Sequence, residues 1–242
     1  MRVLITGGTK GIGKSTVIKF ASLGYDVIFT YYQDQENAIN LKKELETKYN
    51  THVTFYKLDL AKEEDINNLV EEIYKEGFLD VLVNNAAIAN DQDFTLKTKH
   101  DFLMTLNTDL VGPYLLARKV GLKMFDRKEG SIINISSTNG LDTTYPESID
   151  YDAAKAGLIS LTHNLANYFA PYLRVNAIAP GWVNTEMNKG LSPDFKAKET
   201  AKILLNRFAE PVEISNLIYF LASREASYIN DSVIRIDGGI KR

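Results

Sequence analysis

Tyr151 and Lys155 stand four residues apart in "YDAAKAGLISLTHNLANYF", where Ala154, Leu158, Leu161 and Leu165 recur as the apolar stripe of a helix. On such a helix the two share a face, and an ammonium can sit beneath a phenol. A phenol titrates near 10 and is a poor proton donor and acceptor at neutral pH, but a neighbouring cation favours the phenolate and brings it into range. Ser137 lies 14 residues before Tyr151, at the carboxyl end of the apolar run "SIINISS". The three together fit acid catalysis at a carbonyl oxygen: Tyr151 as the proton donor, Ser137 as the hydrogen-bond donor that orients the oxygen.

A second chemical element lies near the start. "LITGGTKGIGKSTV", residues 4 to 17, fits two phosphate-binding patterns at once. From Gly8 it reads G-x-x-x-x-G-K-S, the loop of nucleoside triphosphatases, with Lys14 gripping phosphate. From Thr6 it reads T-G-x-x-x-G-x-G, a dinucleotide loop. Both need a strand, a glycine turn and a helix N-terminus, whose free N–H groups attract phosphate. Glycines at 7, 11 and 13 suit a tight turn and close backbone approach, and the loop alone leaves both readings open. A triphosphatase also needs Mg²⁺, held in part by a carboxylate at the end of a second strand. "DVLVN" ends in asparagine and "SIINISS" in hydroxyls, which leaves only Asp59 as a weak substitute.

The elements that must position these groups follow from periodicity. Residues 2–6, 26–32, 52–58, 80–84, 131–136, 174–179 and 232–236 are short runs rich in Val and Ile, as expected of strands buried on both faces. Between them lie amphipathic helix patterns, such as Ala38, Leu41 and Leu45, or Ile66, Leu69, Val70 and Ile73. Strand and helix in alternation predict an α/β fold, a Rossmann-type doubly wound parallel sheet of about seven strands with helices on both faces. No repeat or Pro/Gly-rich linker interrupts it, so residues 1–242 are expected to form a single domain. Ligands of such sheets bind at the strands' carboxyl ends.

Composition narrows the partners. A net charge of −3 over 242 residues gives no basic surplus for nucleic acid or an anionic membrane. Without cysteine, thiolate nucleophiles and cysteine-ligated metals are excluded. His52, His100 and His163 fall in separate elements without metal-ligand spacing, so no metal is expected. No stretch reaches a spanning length of apolar residues, and a cytoplasmic protein is the expectation.

With these residues in view, the chain resembles the short-chain dehydrogenase/reductase family along its whole length. The resemblance rests on "TGGTKGIG", "LDL" at 58–60, "NNAA" at 84–87, "LNTDLVGPY" at 106–114, "NISS", "YDAAK", "RVNAIAPGWVNTEM" and "RIDGG". Eight motifs in family order outweigh the triphosphatase match. The resemblance implies a catalytic tetrad of Asn107, Ser137, Tyr151 and Lys155. In it Tyr151 protonates the carbonyl, Lys155 lowers the tyrosine pKa and binds the nicotinamide ribose, and Asn107 supports a water relay. Cofactor contacts are implied at Gly7, Thr9, Lys10, Gly11, Ile12 and Gly13 in the loop and at Tyr31, Asp59 and Leu60. The rest are implied at Asn85, Ala86, Pro180, Gly181, Val183 and Thr185, beside Tyr151 and Lys155. Ala87 stands where the family usually has glycine. Asp150 and Asp152 flank the tyrosine and are expected to face solvent, since inward charge would raise its pKa.

The acid that binds the ribose in NAD-preferring members is replaced by Tyr31, and Lys10 adds a cation within the loop, so NADP(H) is expected over NAD(H). Thr185 to Arg207 and the C-terminal segment most resemble 3-oxoacyl-acyl-carrier-protein reductases, with a dehydrogenase of free small alcohols, sugars or carbonyls as the alternative. A catalytically silent nucleotide-sensing module is a third class, against which the intact Asn, Ser, Tyr and Lys set argues. Arg127 and Lys128 are candidates for docking an acidic carrier protein, while Asp142, Glu147 and Asp150 oppose it. Residues 186–209 are expected to form a substrate lid. Trp182 is open between lining the substrate pocket and a core or interface role. Family members are commonly tetramers, and a homotetramer is expected.

Overall fold

The computed structural model, described over residues 1–240, contains all seven strands in one parallel sheet of order β3-β2-β1-β4-β5-β6-β7. The strands are β1 (Arg2–Ile5), β2 (Asp26–Tyr31), β3 (Val53–Lys57), β4 (Val81–Asn84), β5 (Gly130–Ile135), β6 (Leu173–Pro180) and β7 (Val233–Ile236). Their bounds lie within a residue or two of the apolar runs. Helices α1 (Gly11–Ser22), α2 (Gln35–Tyr49), α3 (Glu63–Glu76), α4 (Lys99–Leu106), α5 (Gly112–Arg127), α6 (Ile149–Phe169), α7 (Pro193–Lys202) and α8 (Pro211–Ala222) cover its faces or precede its loops.

Alternation along β1 shows how the sheet separates two cores. Val3 and Ile5 join Val17 and Phe20 of α1 and Ile214 and Ile218 of α8, whereas Leu4 points to the other face with Ile66, Leu116 and Phe169 from α3, α5 and α6. Both faces of β1 are dry, which is why this run reads as continuously apolar. Strand order reverses between β1 and β4, whose residues Val3 to Ile5 pair with Val81 to Val83. A crevice opens beyond the carboxyl ends at such a reversal.

Two features place α6 and the chain before it. Asn84 donates to Asn134 at 2.9 Å, Asn134 donates to Thr162 at 2.9 Å, and Thr162 returns its hydroxyl to Leu158 O at 2.8 Å. This buried polar thread joins β4, β5 and α6 and sets the helix's height on the sheet. Between α4 and α5 the chain makes a π-turn over Asn107–Val111, in which the Gly112 N–H reaches Asn107 O. One extra residue in the turn changes the direction of every side chain through it.

Segment 186–209 is not continuously helical: a 3₁₀ turn at Glu186–Asn188 leads to α7, and bridges at Val183–Ala209 and Ile203–Ile240 close its ends. No helix among the described residues is long and apolar enough to cross a membrane.

Removing the middle of the polar thread takes one hydrogen-bond partner from each of two buried side chains. Asn134→Ala is expected to lower unfolding free energy by about 2 kcal/mol, measured by urea denaturation; a loss under about 0.5 kcal/mol would show that the thread contributes little.

Candidate active site

The loop from β1 to α1 is held by the chain that follows β4. Thr6 Oγ1 accepts from the N–H groups of Asn85 at 2.9 Å and Ala86 at 3.0 Å, and Asn85 Nδ2 donates back to Thr6 O at 2.8 Å. Gly7 takes a left-handed backbone at φ +68°, and a Cβ on Gly13 would lie 2.0 Å from Gly7 O. The chain therefore folds back on itself at α1 with no side chain in the way. Lys10 caps α1 without a side-chain bond to the helix, so first-turn N–H groups face the crevice. One of them, Gly11 N–H, donates to Glu186 Oε2 at 3.0 Å. A carboxylate thus occupies the position where helix N-termini hold phosphate.

A cleft of about 760 Å³ runs from this loop to Tyr151. Every residue expected to touch a cofactor lines it, from Gly7, Thr9, Lys10, Gly11, Ile12 and Gly13 through Tyr31, Asp59, Leu60, Asn85 and Ala86 to Pro180, Gly181, Val183 and Thr185. Ser137, Tyr151, Lys155 and Ala87 line it too. A glycine cradle, free helix donors and a long groove fit a dinucleotide. Lys14, which a triphosphatase would need, is exposed on α1 and does not line the cleft.

Ser137 follows β5, and Tyr151 and Lys155 are presented by α6. The Ser137 hydroxyl favours the ionised form of the Tyr151 phenol, and it bonds to Asn139, donating to Oδ1 at 3.3 Å and accepting from N–H at 3.2 Å. Lys155 is buried; its Nζ lies 5.3 Å from the Tyr151 ring centre and donates to Ile135 O at 3.1 Å. Ser136 Oγ anchors the lysine backbone by donating to Lys155 O at 2.8 Å. Burial raises the Tyr151 pKa, the Lys155 charge opposes this, and the net direction is upward. The expectation of a lowered pKa described the lysine's effect alone. With the proton held, the phenol is a donor.

Asn107 does not join this group. It is exposed at the start of the π-turn and does not line the cleft. Asp109, two residues on, points the opposite way because two residues turn a helix through about half a revolution. Its Oδ2 lies 3.4 Å from Lys155 Nζ, its Oδ1 accepts from Ile88 N–H at 2.9 Å, and the side chain is fully buried. Burial, opposed by Lys155, pushes its pKa up to about 6. A carboxylate inside the otherwise apolar "DLVGPY" was the signal in the sequence for this residue.

The acids beside Tyr151 also correct an expectation, since neither faces solvent. Asp150 is buried, accepting from Lys97 at 2.6 Å and Thr105 at 2.7 Å, so α4 and the chain before it are tied to the start of α6. Burial raises its pKa, but these two donors more than offset that, and the group stays acidic. Asp152 is half-buried and accepts from Asn139 at 2.6 Å and Tyr145 N–H at 3.1 Å, which holds the loop after β5. Arg127 and Lys128 are at the wrong end of the molecule to flank the cleft. In a parallel sheet the helix between two strands returns to the amino ends, and there Arg127 pairs with Asp80 at 2.8 Å.

Trp182 is partly buried and does not line the cleft. It stacks on Phe208, meets Tyr145 and Phe195 edge-on, and donates to buried Glu199 at 3.3 Å. Tyr145 also donates to Glu199, at 2.8 Å, so α7 is fastened to the loop between Ser137 and Tyr151. No group of three potential metal ligands stands together among the described residues.

Comparison with known proteins agrees with this geometry. A family model described as enoyl-(acyl carrier protein) reductase matches residues 7–241. The 3-oxoacyl-acyl-carrier-protein reductase FabG of Aquifex aeolicus is 39% identical over 240 residues, covering 98% of this chain and 96% of the relative. That of Thermotoga maritima is 40% identical over 241 residues, again covering 98% and 96%. A solved structure described as a short chain dehydrogenase/reductase family protein superimposes with a TM-score of 0.89 at 30% identity, covering 99% of this chain and 96% of the other.

Because Glu186 competes for the helix N-terminus, Glu186→Gln removes a charge that a pyrophosphate must displace. NADPH is expected to bind the variant about 2–5-fold more tightly, read by fluorescence titration. Equal or weaker binding would show that the carboxylate does not compete.

Proposed function

The chain belongs to the short-chain dehydrogenase/reductase family, a family of oxidoreductases that use a nicotinamide cofactor, and from that premise we propose that it reduces the ketone of a 3-oxoacyl thioester to a secondary alcohol. The observation that carries the reading is Tyr151, with its proton held, beside the Ser137 hydroxyl and above a buried ammonium, in the same cleft as the glycine loop.

The bound reduced cofactor supplies hydride to the carbonyl carbon. Ser137 donates a hydrogen bond to the carbonyl oxygen and fixes its direction. Tyr151 passes its phenolic proton to that oxygen as charge develops there, so that C=O becomes CH–OH and the tyrosine is left as phenolate. Lys155 stabilises the phenolate, and a proton entering from solvent restores the phenol. The glycine loop would hold the pyrophosphate, Asp59 and Leu60 the adenine, and Val183 and Thr185 the carboxamide.

The 3-oxoacyl substrate is supported by near-full-length identity to two reductases of that name. Paired hydroxyls suit the carbonyl oxygen of a ketone. An acyl carrier protein is the inferred thioester carrier, and segment 186–209 the lid over the acyl chain, fastened through Glu199. A homotetramer is the inferred assembly, supported by the exposed apolar residues Leu122 on α5, Tyr168 on α6 and Tyr172 just after it; mass in solution tests it.

NADP(H) is the inferred cofactor. Its support is the Lys10 ammonium at the cleft mouth and Tyr31, in place of an acid, at the end of β2. Lys10 pairs with Asp34 at 2.8 Å, and the bond from Lys10 holds the Asp34 carboxyl below its ordinary pKa. A 2′-phosphate must draw Lys10 from that partner.

With NADPH, a 3-oxoacyl thioester is expected to turn over, a 2-enoyl thioester is not, and Tyr151→Phe should lower kcat by about 1,000-fold. Equal rates for wild type and variant would refute the acid role. Lys10→Ala should lower kcat/KM for NADPH about tenfold and leave that for NADH unchanged. A higher wild-type kcat/KM with NADH would refute the cofactor preference.

A further inference from the structure

The fourth group around the reacting centre is a carboxylate, Asp109, where the resemblance implied an amide. Its Oδ1 is held by the Ile88 N–H at 2.9 Å, while Oδ2 has no hydrogen-bond partner and lies 3.4 Å from Lys155 Nζ. Neither charge reaches water: Asp109 has no exposed surface and Lys155 is 2% exposed. A buried ion pair of this kind interacts strongly because little solvent screens it. Lys155 Nζ also lies near the Tyr151 ring, so one ammonium faces two groups of opposite demand, a carboxylate and a phenol that can become phenolate.

We propose that Asp109 is a positioning residue that fixes the Lys155 ammonium beneath Tyr151 and offsets its charge, so that the phenol keeps its proton over a wider pH range than a neutral residue in that place would allow. The inference rests on Tyr151 being the proton donor of the reductase reading. An amide would hold the lysine without offsetting it, and the full cation would then act on the phenol. The other charged groups facing the pair do not cancel this effect. Asp150 bears on Asp109, and Asp152 on Tyr151, both as weaker repulsions, and Asp150 is itself matched by Lys97. Asp109 is pushed up to about 6, so it is ionised above that pH, in the range where the phenol titrates.

Reduction requires the phenol form and oxidation of the alcohol requires the phenolate, so one midpoint governs both directions. In Asp109→Asn and Asp109→Ser, the alkaline midpoint of kcat/KM for ketone reduction is expected to fall by about one pH unit. A role limited to packing would lower activity at every pH and leave the midpoint in place, and that result would overturn the proposal.

A second measurement needs neither substrate nor a folded variant at position 109. The phenolate absorbance of cofactor-free wild type, minus that of Tyr151→Phe, gives the Tyr151 midpoint directly. It is expected at or above the ordinary value of about 10, and a midpoint well below that would overturn the proposal. If no ketone is reduced but the Tyr151 phenolate midpoint is lower in Asp109→Asn than in wild type, the reductase reading fails while the electrostatic one stands.

Discussion

A buried ammonium is the constraint around which this molecule is organised. Removing a lysine charge from water is costly unless polar partners replace the solvent, and Lys155 has one main-chain carbonyl and one carboxylate to do so. Both partners come from other elements, Ile135 from the end of β5 and Asp109 from the π-turn before α5. Their positions depend in turn on the parallel sheet, which brings the ends of β4 and β5 together, and on the Asn84, Asn134 and Thr162 thread that seats α6. The catalytic face of α6 is thus a product of the core as much as of its own residues.

The opposite end of the cleft is governed by unpaired backbone donors. Glycines let the chain reverse between β1 and α1, and Thr6 and Asn85 lock that reversal to β4. What remains free is a helix N-terminus, and the protein's own Glu186 is drawn to it. Lys10 behaves in the same way, held by Asp34. The Gly11 N–H and the Lys10 ammonium are each paired with an internal carboxylate, which a phosphate bound at either position would have to displace.

The acidic residues near Tyr151 show how position changes the meaning of a charge. Asp150 and Asp152 are adjacent to the tyrosine in sequence, yet each is spent on fastening a neighbouring segment, one through Lys97 and Thr105, the other through Asn139 and Tyr145. Asp109, some 40 residues away in the chain, is the acid that bears most strongly on the Tyr151 phenol. Glu199 adds a fourth case, joining Trp182 and Tyr145 so that α7 is fastened to the loop before Tyr151.

Much of this was legible in the sequence, and the reason is local. Continuous Val and Ile runs between amphipathic patterns determine a doubly wound sheet, because only strands covered on both faces are apolar throughout. The spacing of Tyr151 and Lys155 determines a shared face, because the period of a regular helix is constant. The glycine pattern determines a turn that backbone can approach closely. Other features were decided only by tertiary structure. Asn107 or Asp109 could have met Lys155, and the π-turn, with the docking of α5 and α6 around it, turned the first outward and buried the second. Likewise Arg127 was sent to the far end of the sheet by the direction of α5, and Asp34 was brought to Lys10 across the mouth of the cleft. Regular elements carry their side-chain directions in their own spacing. Where the chain is irregular, or where two charges come from different elements, direction is set by how those elements pack, and residue order alone does not contain it.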